Sequence, residues 1–99
     1  MSKALLLPTA AALIALLLSS NTLASDQRDF AEQSCKDVMR LSGADRDIAL
    51  AFAHGYRLGK KGTTRYEIET LAQITDRFID YCLDHPSENA LQSFEKVAE

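Results

Sequence analysis

The stretch EIETLAQITDRFIDYCL, residues 67–83, carries the clearest structural signal in the chain. Apolar side chains recur in it at intervals of three and four residues, which is the spacing of one face of an α-helix. The side chains on that face belong to Ile68, Leu71, Ala72, Thr75, Phe78, Ile79 and Cys82. The pattern predicts an amphipathic helix from about Glu67 to Leu83, the third of the domain.

A short helix is predicted well upstream of this stretch. Ser34 is a good N-cap residue, and Asp37, three residues later, completes a capping-box-like start. Val38 and Leu41 supply a short apolar face, and Ser42-Gly43 is predicted to end the helix.

A second helix is predicted from near Asp45 to about Leu58, followed by a loop over residues 60–64. Its adjoining helical rows carry apolar or small side chains, namely Ile48, Ala51, Phe52, Gly55, Tyr56 and Gly59. A glycine inside a helix costs about 1 kcal/mol relative to alanine, so the small residues predict that another backbone packs closely here.

Asp84-His85-Pro86-Ser87 is predicted to end the third helix and to start a fourth. Proline suits the first turn of a helix and disfavours helix in the residue before it, so His85 is interpreted as the N-cap of a helix over about residues 86–98. Its apolar stripe is Ala90, Leu91, Phe94, Val97 and Ala98. No segment alternates polar and apolar residues for long enough to predict a strand. The predicted fold class is therefore all-α, a small bundle of about four short helices.

Residues 1–24 have the composition of a cleaved secretory signal peptide. Lys3 precedes an apolar run of about fifteen residues, which polar residues follow at once, and small side chains at Thr22 and Ala24 favour cleavage before Ser25. The run is shorter than the roughly 20 residues that a membrane-spanning helix needs, so no membrane anchor is expected. The alternative, an N-terminal core helix, is less favoured because buried helices rarely lack every charge over such a length. The mature domain is predicted to be residues 25–99.

Cys35 and Cys82 are the two cysteines of the chain. An even pair in an exported protein favours a disulfide, which at this spacing stabilises a small domain by roughly 4 kcal/mol. The alternatives, a metal site or a catalytic thiol, are less favoured because the spacing does not match a zinc site and no histidine lies near Cys35 in sequence.

The composition argues against nucleic acid as a partner. Without Lys3 the mature chain has ten Lys and Arg residues against fourteen Asp and Glu, so its net charge is about −4. Neither His54 nor His85 accompanies a nucleophile at a recognisable spacing, and no phosphate-binding glycine loop follows a strand. No enzyme activity, cofactor or metal is predicted.

Asp76, Asp80 and Asp84 form an acidic row at four-residue steps on the third helix. Like charges so placed repel one another, and the last one lies at the negative end of the helix dipole. The row is interpreted as a solvated face partly neutralised by Arg77, with a pH-responsive surface as the alternative.

Three segments of the mature chain form a recognisable set. Ser34-Cys35-Lys36-Asp37 opens the first helix, His54-Gly55-Tyr56-Arg57-Leu58-Gly59-Lys60 ends the second, and Tyr81-Cys82-Leu83-Asp84-His85-Pro86 is followed by Asn89 and Phe94. In the spacing of the cysteines, the Gly-Tyr-x-x-Gly helix end and the Cys-x-x-x-Pro junction, the chain resembles the HdeA/HdeB family of periplasmic acid-stress chaperones.

The resemblance implies a disulfide-clamped helical fold, a periplasmic location and a homodimer near neutral pH. It also implies that acid dissociates and partly unfolds the protein, whose uncovered apolar surface then holds acid-unfolded periplasmic proteins in solution without ATP. The candidate apolar surface for clients or for the dimer comprises Phe52, Tyr56, Phe78 and Phe94. The alternative function is a constitutive periplasmic binding protein, either an immunity-type factor or a subunit of an envelope complex.

Overall fold

The computed structural model describes residues 27–99, which form four helices. They are α1 (Cys35–Met39), α2 (Gly43–Lys60), α3 (Ile68–Asp84) and α4 (Ala90–Val97). These residues contain no strand, and a single isolated antiparallel bridge pairs Ser34 with Asn89. The predicted all-α class is confirmed, whereas the predicted signal peptide, residues 1–24, lies outside the described residues. None of the four helices is long and apolar enough to cross a membrane.

The starts of α1 and α2 follow from their capping residues. Ser34 accepts a hydrogen bond from the Asp37 backbone N–H at 3.1 Å, and the Asp37 carboxylate accepts one from the Ser34 N–H at 3.1 Å, which confirms the capping box. Ser42 caps α2 by accepting a hydrogen bond from the Asp45 N–H at 3.3 Å. Gly43 is therefore the first residue of α2 rather than part of a stop for α1.

The predicted start of the fourth helix is wrong by four residues. Asn89, not His85, is the N-cap of α4, and its side chain accepts a hydrogen bond from the Gln92 N–H at 2.9 Å. His85 instead ends α3, where its own N–H donates to the Tyr81 carbonyl at 2.9 Å. Residues 86–88 form a turn because their carbonyls are needed elsewhere, as hydrogen-bond acceptors for α1.

The N-termini of α1 and α4 meet at what we call the junction, formed by residues 31–36 and 86–90. The N–H groups of Cys35 and Lys36 donate to the carbonyls of Glu88 and Pro86 at 2.7 and 2.9 Å. In return, the Ala90 N–H donates to the Gln33 carbonyl at 2.9 Å. The segment before each helix thus supplies acceptors for the first backbone donors of the other helix, which have no partner within their own helix. The predicted disulfide is present beside the junction and joins Cys35 of α1 to Cys82 of α3.

The core lies between α1, α3, α4 and the segment before α1. Its centre is an aromatic cluster in which the rings of Phe30, Phe78 and Phe94 lie 5.5 to 6.5 Å apart, centre to centre. Edge-to-face and tilted pairs of this kind add to the stabilisation that burial alone provides. Val38 and both half-cystines fill the space around the cluster.

α2 buries a different face from the one that periodicity indicates. Its buried residues are Leu50, Ala53 and His54, whereas the rows that contain Ile48, Phe52 and the small residues are exposed. The prediction of close backbone packing on the small residues is wrong, since within residues 27–99 no atom beyond the local backbone lies within 4 Å of a Cβ built at Gly55 or Gly59.

Candidate functional site

One side of α2 presents large apolar side chains to solvent. Ile48, Phe52 and Tyr56 follow one another at four-residue steps and are 69, 60 and 43 % exposed. The rings of Phe52 and Tyr56 stack with their centres 6.4 Å apart. We call these three residues the α2 apolar face. A row of exposed apolar side chains on one helix is a feature that marks binding surfaces in small proteins.

Two depressions flank the α2 apolar face on the side of the core. The larger, of about 550 Å³, is bounded by Ile48, Phe52 and Leu41, with Arg28 and Asp45 at its rim. The smaller, of about 240 Å³, lies between Phe52, Tyr56 and Leu91. Phe30 lines both depressions, so the exposed face of α2 is continuous with the edge of the aromatic core.

The four residues predicted as a client or dimer surface do not lie together in the folded protein. Phe52 and Tyr56 belong to the exposed face, whereas Phe78 and Phe94 are 0 % exposed at the centre of the core. Phe30 belongs to the same core and was missed, because the segment before Ser34 shows no helical periodicity. The folded protein therefore exposes Phe52 and Tyr56 to solvent and keeps Phe78 and Phe94 buried.

Polar and charged side chains hold the C-terminal half of α2 against α4. Arg57 donates to the Ala98 carbonyl at 2.9 Å, and Lys60 pairs with Glu95 at 2.8 Å. The hydrogen bond to Glu95, assisted by the negative charge of that residue, raises the pKa of Lys60. Arg77 of α3 donates to the Val97 carbonyl at 3.1 Å. Two arginines thus donate hydrogen bonds to carbonyls at the C-terminal end of α4.

His54 is buried between α2, α3 and α4. Its Nε2 lies 2.8 Å from the Thr75 hydroxyl, and the His54 and Phe94 rings form a T-shaped pair with their centres 4.9 Å apart. Burial of the ring, and to a lesser extent the Arg57 charge, lowers the pKa of His54. The other histidine, His85, is exposed and stacks on Tyr81 at 4.2 Å.

The acidic row on α3 is exposed at all three positions. Among residues 27–99 no cation pairs with Asp76, Asp80 or Asp84, and Arg77 is occupied by the carbonyl at the end of α4. Arg77 therefore does not neutralise the row through an ion pair, and the pH-responsive surface stays a prediction.

The described part of the chain brings no three His, Cys, Asp or Glu side chains together as a metal ion would require. The protein has an exposed apolar surface, the α2 apolar face, and a buried apolar cluster in the core. The helix α2 lies between them and buries only a few side chains. Exposed apolar surface of this kind is a feature of surfaces that bind other chains.

The comparison with protein families gives one match. The model of the HdeA/HdeB family matches residues 8–92, which is most of the chain. No curated protein and no solved structure gives a match. The match includes both half-cystines, α1, α2, α3 and the start of α4. The chain belongs to the HdeA/HdeB family.

Proposed function

We propose that this protein is a periplasmic chaperone that acid activates and that prevents acid-denatured proteins from aggregating without ATP. The observation that carries the proposal is the closed aromatic cluster beneath α2, a helix whose buried contribution to the core is Leu50, Ala53 and His54. Moving α2 away would expose Phe30 and Phe94, while the disulfide would still join α1 to α3. Membership of the HdeA/HdeB family supports the same activity.

Acid opposes the folded state through net charge. Below about pH 2 nearly all carboxylates are neutral, so the mature chain changes from about −4 to about +13 when its ten Lys and Arg residues, both histidines and the amino terminus are charged. The Lys60–Glu95 pair between α2 and α4 also disappears once Glu95 is protonated. Repulsion between like charges then favours separation of the helices.

The α2 apolar face accounts for the proposed homodimer at neutral pH. Ile48, Phe52 and Tyr56 are exposed in one protomer, and pairing with a second copy would cover them. Dissociation in acid would then add this face to the surface available to clients. The same exposure favours the alternative, a constitutive binding protein, because a partner could occupy the face without any unfolding.

Light scattering of an acid-labile enzyme separates these two functions. We expect the chain, expressed in full and purified after export, to suppress scattering when the mixture is brought to about pH 2–3, and not when the same enzyme is heated at pH 7. Equal suppression at both pH values would favour the constitutive binding protein. Unchanged scattering in acid would contradict the chaperone proposal.

Size-exclusion chromatography with light scattering tests the dimer surface. We expect a dimer at pH 7 that Phe52→Ser shifts toward monomer, because the substitution removes an aromatic ring that is 60 % exposed on the α2 apolar face. The matched control is Leu83→Ser on α3, where the side chain is similarly exposed but lies outside that face. Equal effects of the two substitutions would remove the α2 apolar face from the interface.

A further inference from the structure

His54 is the one histidine that the core encloses, with 8 % of its surface exposed. Its Nε2 is satisfied by the Thr75 hydroxyl of α3, and its ring packs against the Phe94 ring of α4 at an interplanar angle of 76°. Its Nδ1 is buried and has no hydrogen-bond partner among residues 27–99. A neutral imidazole tolerates this position because one ring nitrogen of the neutral form carries no proton.

The charged form of the ring has no counter-ion in this position. On α2, Arg57 carries the same positive sign, and Asp47 lines the same open groove of about 510 Å³ as His54 without pairing with it. The residues of α3 that line the groove are uncharged, and the loop before α3 contributes Tyr66. On α4 the charged side chains are engaged elsewhere, Glu95 by Lys60 and Lys96 by the Tyr81 hydroxyl. No carboxylate of the described chain forms an ion pair with His54.

We propose that His54 is the proton switch that releases α2 from the core. Protonation adds a positive charge to a buried ring that already lies near the Arg57 charge, and it gives Nδ1 a proton for which the described residues offer no acceptor. The free-energy cost of burying this charge is removed when α2 moves outward and water hydrates the ring. This inference rests on the proposed function, because it identifies the residue that starts the opening of the aromatic cluster.

The direction of the pH effect follows from linkage. Burial lowers the pKa of His54 in the folded protein below its ordinary value of 6.5, so the unfolded chain takes up the proton first. The contribution of the neutral ring to stability is complete above that value, declines as the pH falls below it, and is lost once the pH has passed the folded pKa. Because this loss of stability begins below 6.5, above the ordinary range of carboxylates near pH 4, His54 starts to lower stability earlier in acidification than a carboxylate with an ordinary pKa does.

The decisive experiment is urea unfolding, followed by circular dichroism, at a series of pH values from 7 to 5. One proton changes the unfolding constant by at most tenfold per pH unit, and we expect a several-fold rise for the native protein from about pH 6 to 5. His54→Gln should reduce this rise to less than about twofold, because the amide stays neutral and is able to bond to Thr75. The matched control His85→Gln should behave as the native protein, since His85 is exposed. An equal rise in all three proteins would overturn the inference.

A second measurement needs no folded variant at position 54. In the native protein, the two histidine ring signals are followed by nuclear magnetic resonance during titration, and His85→Gln identifies which signal is His54. We expect the His54 signal to titrate below 6.5, and titration at or above that value would overturn the inference. Neither measurement contains a client protein. A failed aggregation assay would therefore refute the proposed chaperone activity but not the role of His54, and a failed unfolding or titration experiment would refute the role of His54 but not the chaperone activity.

Discussion

The junction and α2 are held by different kinds of interaction. At the junction, the first backbone N–H groups of α1 and α4 donate to carbonyls of the segment before the other helix, and a disulfide lies alongside. α2 is held by the buried side chains of Leu50, Ala53 and His54 and by polar side chains that reach α4. Protons do not change backbone hydrogen bonds or a disulfide, whereas they do change His54 and Glu95. Under the proposed function, acid would therefore separate α2 from the rest while the junction persists.

Removing the disulfide should have the largest effect on this difference. Cys35→Ser with Cys82→Ser releases a link between residues 47 apart in sequence, for which chain entropy gives about 4 kcal/mol of stability. We expect the variant to unfold at a much lower urea concentration at pH 7, or to be unfolded without urea, as measured by circular dichroism. Reductant should destabilise the native protein similarly and leave the variant unchanged. An unaltered midpoint would mean that the junction does not depend on its covalent link.

The second-largest effect is expected from weakening the packing of α2 against the core. Leu50→Ala removes a side chain that α2 buries in the core, and we expect a loss of about 2–3 kcal/mol in the free energy of unfolding. Leu83→Ala on α3, where the side chain is 65 % exposed and lies outside the α2 apolar face, should change it by less than about 0.5 kcal/mol. Urea titrations at pH 7 give both values. Equal losses would show that burial does not distinguish Leu50 from an exposed leucine and would contradict the division drawn here.

The smallest effect is expected at Asp37, an exposed residue whose carboxylate belongs to the capping box of α1 next to the junction. Hydrogen bonds from the backbone and hydroxyl of Ser34, the backbone bond being the larger cause, lower the pKa of Asp37. Its contribution to stability is complete above the unfolded pKa of about 3.9 and is lost as the pH falls through the lower folded value. Asp37→Asn should therefore reduce the difference between urea midpoints measured at pH 4 and pH 2. Asp76→Asn, at an exposed position, is the control, and an equal reduction there would contradict the assignment to the capping box.

The helices that the sequence predicts best carry a clear local signal, which is a capping box in α1 and a regular apolar face in α3. The capping box at Ser34 and the apolar periodicity of residues 67–83 both correspond to observed helices. The start of α4 was not predictable in this way, because the carbonyls of Pro86 and Glu88 bond to α1, which is distant in sequence. Proline marks where a helix is able to begin, but here tertiary hydrogen bonds delay it to Ala90.

The buried face of α2 was harder to predict than its existence. Periodicity identifies the rows with the largest apolar side chains, and on α2 those rows contain Phe52 and Tyr56, which are exposed. The face that packs inward instead carries Ala53 and a histidine, whose polar ring gives no apolar signal in sequence. A helix that leaves its most apolar row uncovered conflicts with the rule that relates periodicity to burial, and such conflicts are expected where a surface has a function.

The position of the disulfide also determines how the molecule withstands cutting. The bond closes a covalent ring from residue 35 to residue 82, and the exposed connection over residues 61–67 lies inside that ring. A protease that hydrolyses one peptide bond there opens the ring without dividing the molecule. The nicked protein would gain the mass of one water, migrate as a single species without reductant, and separate into two fragments once the cysteines are reduced.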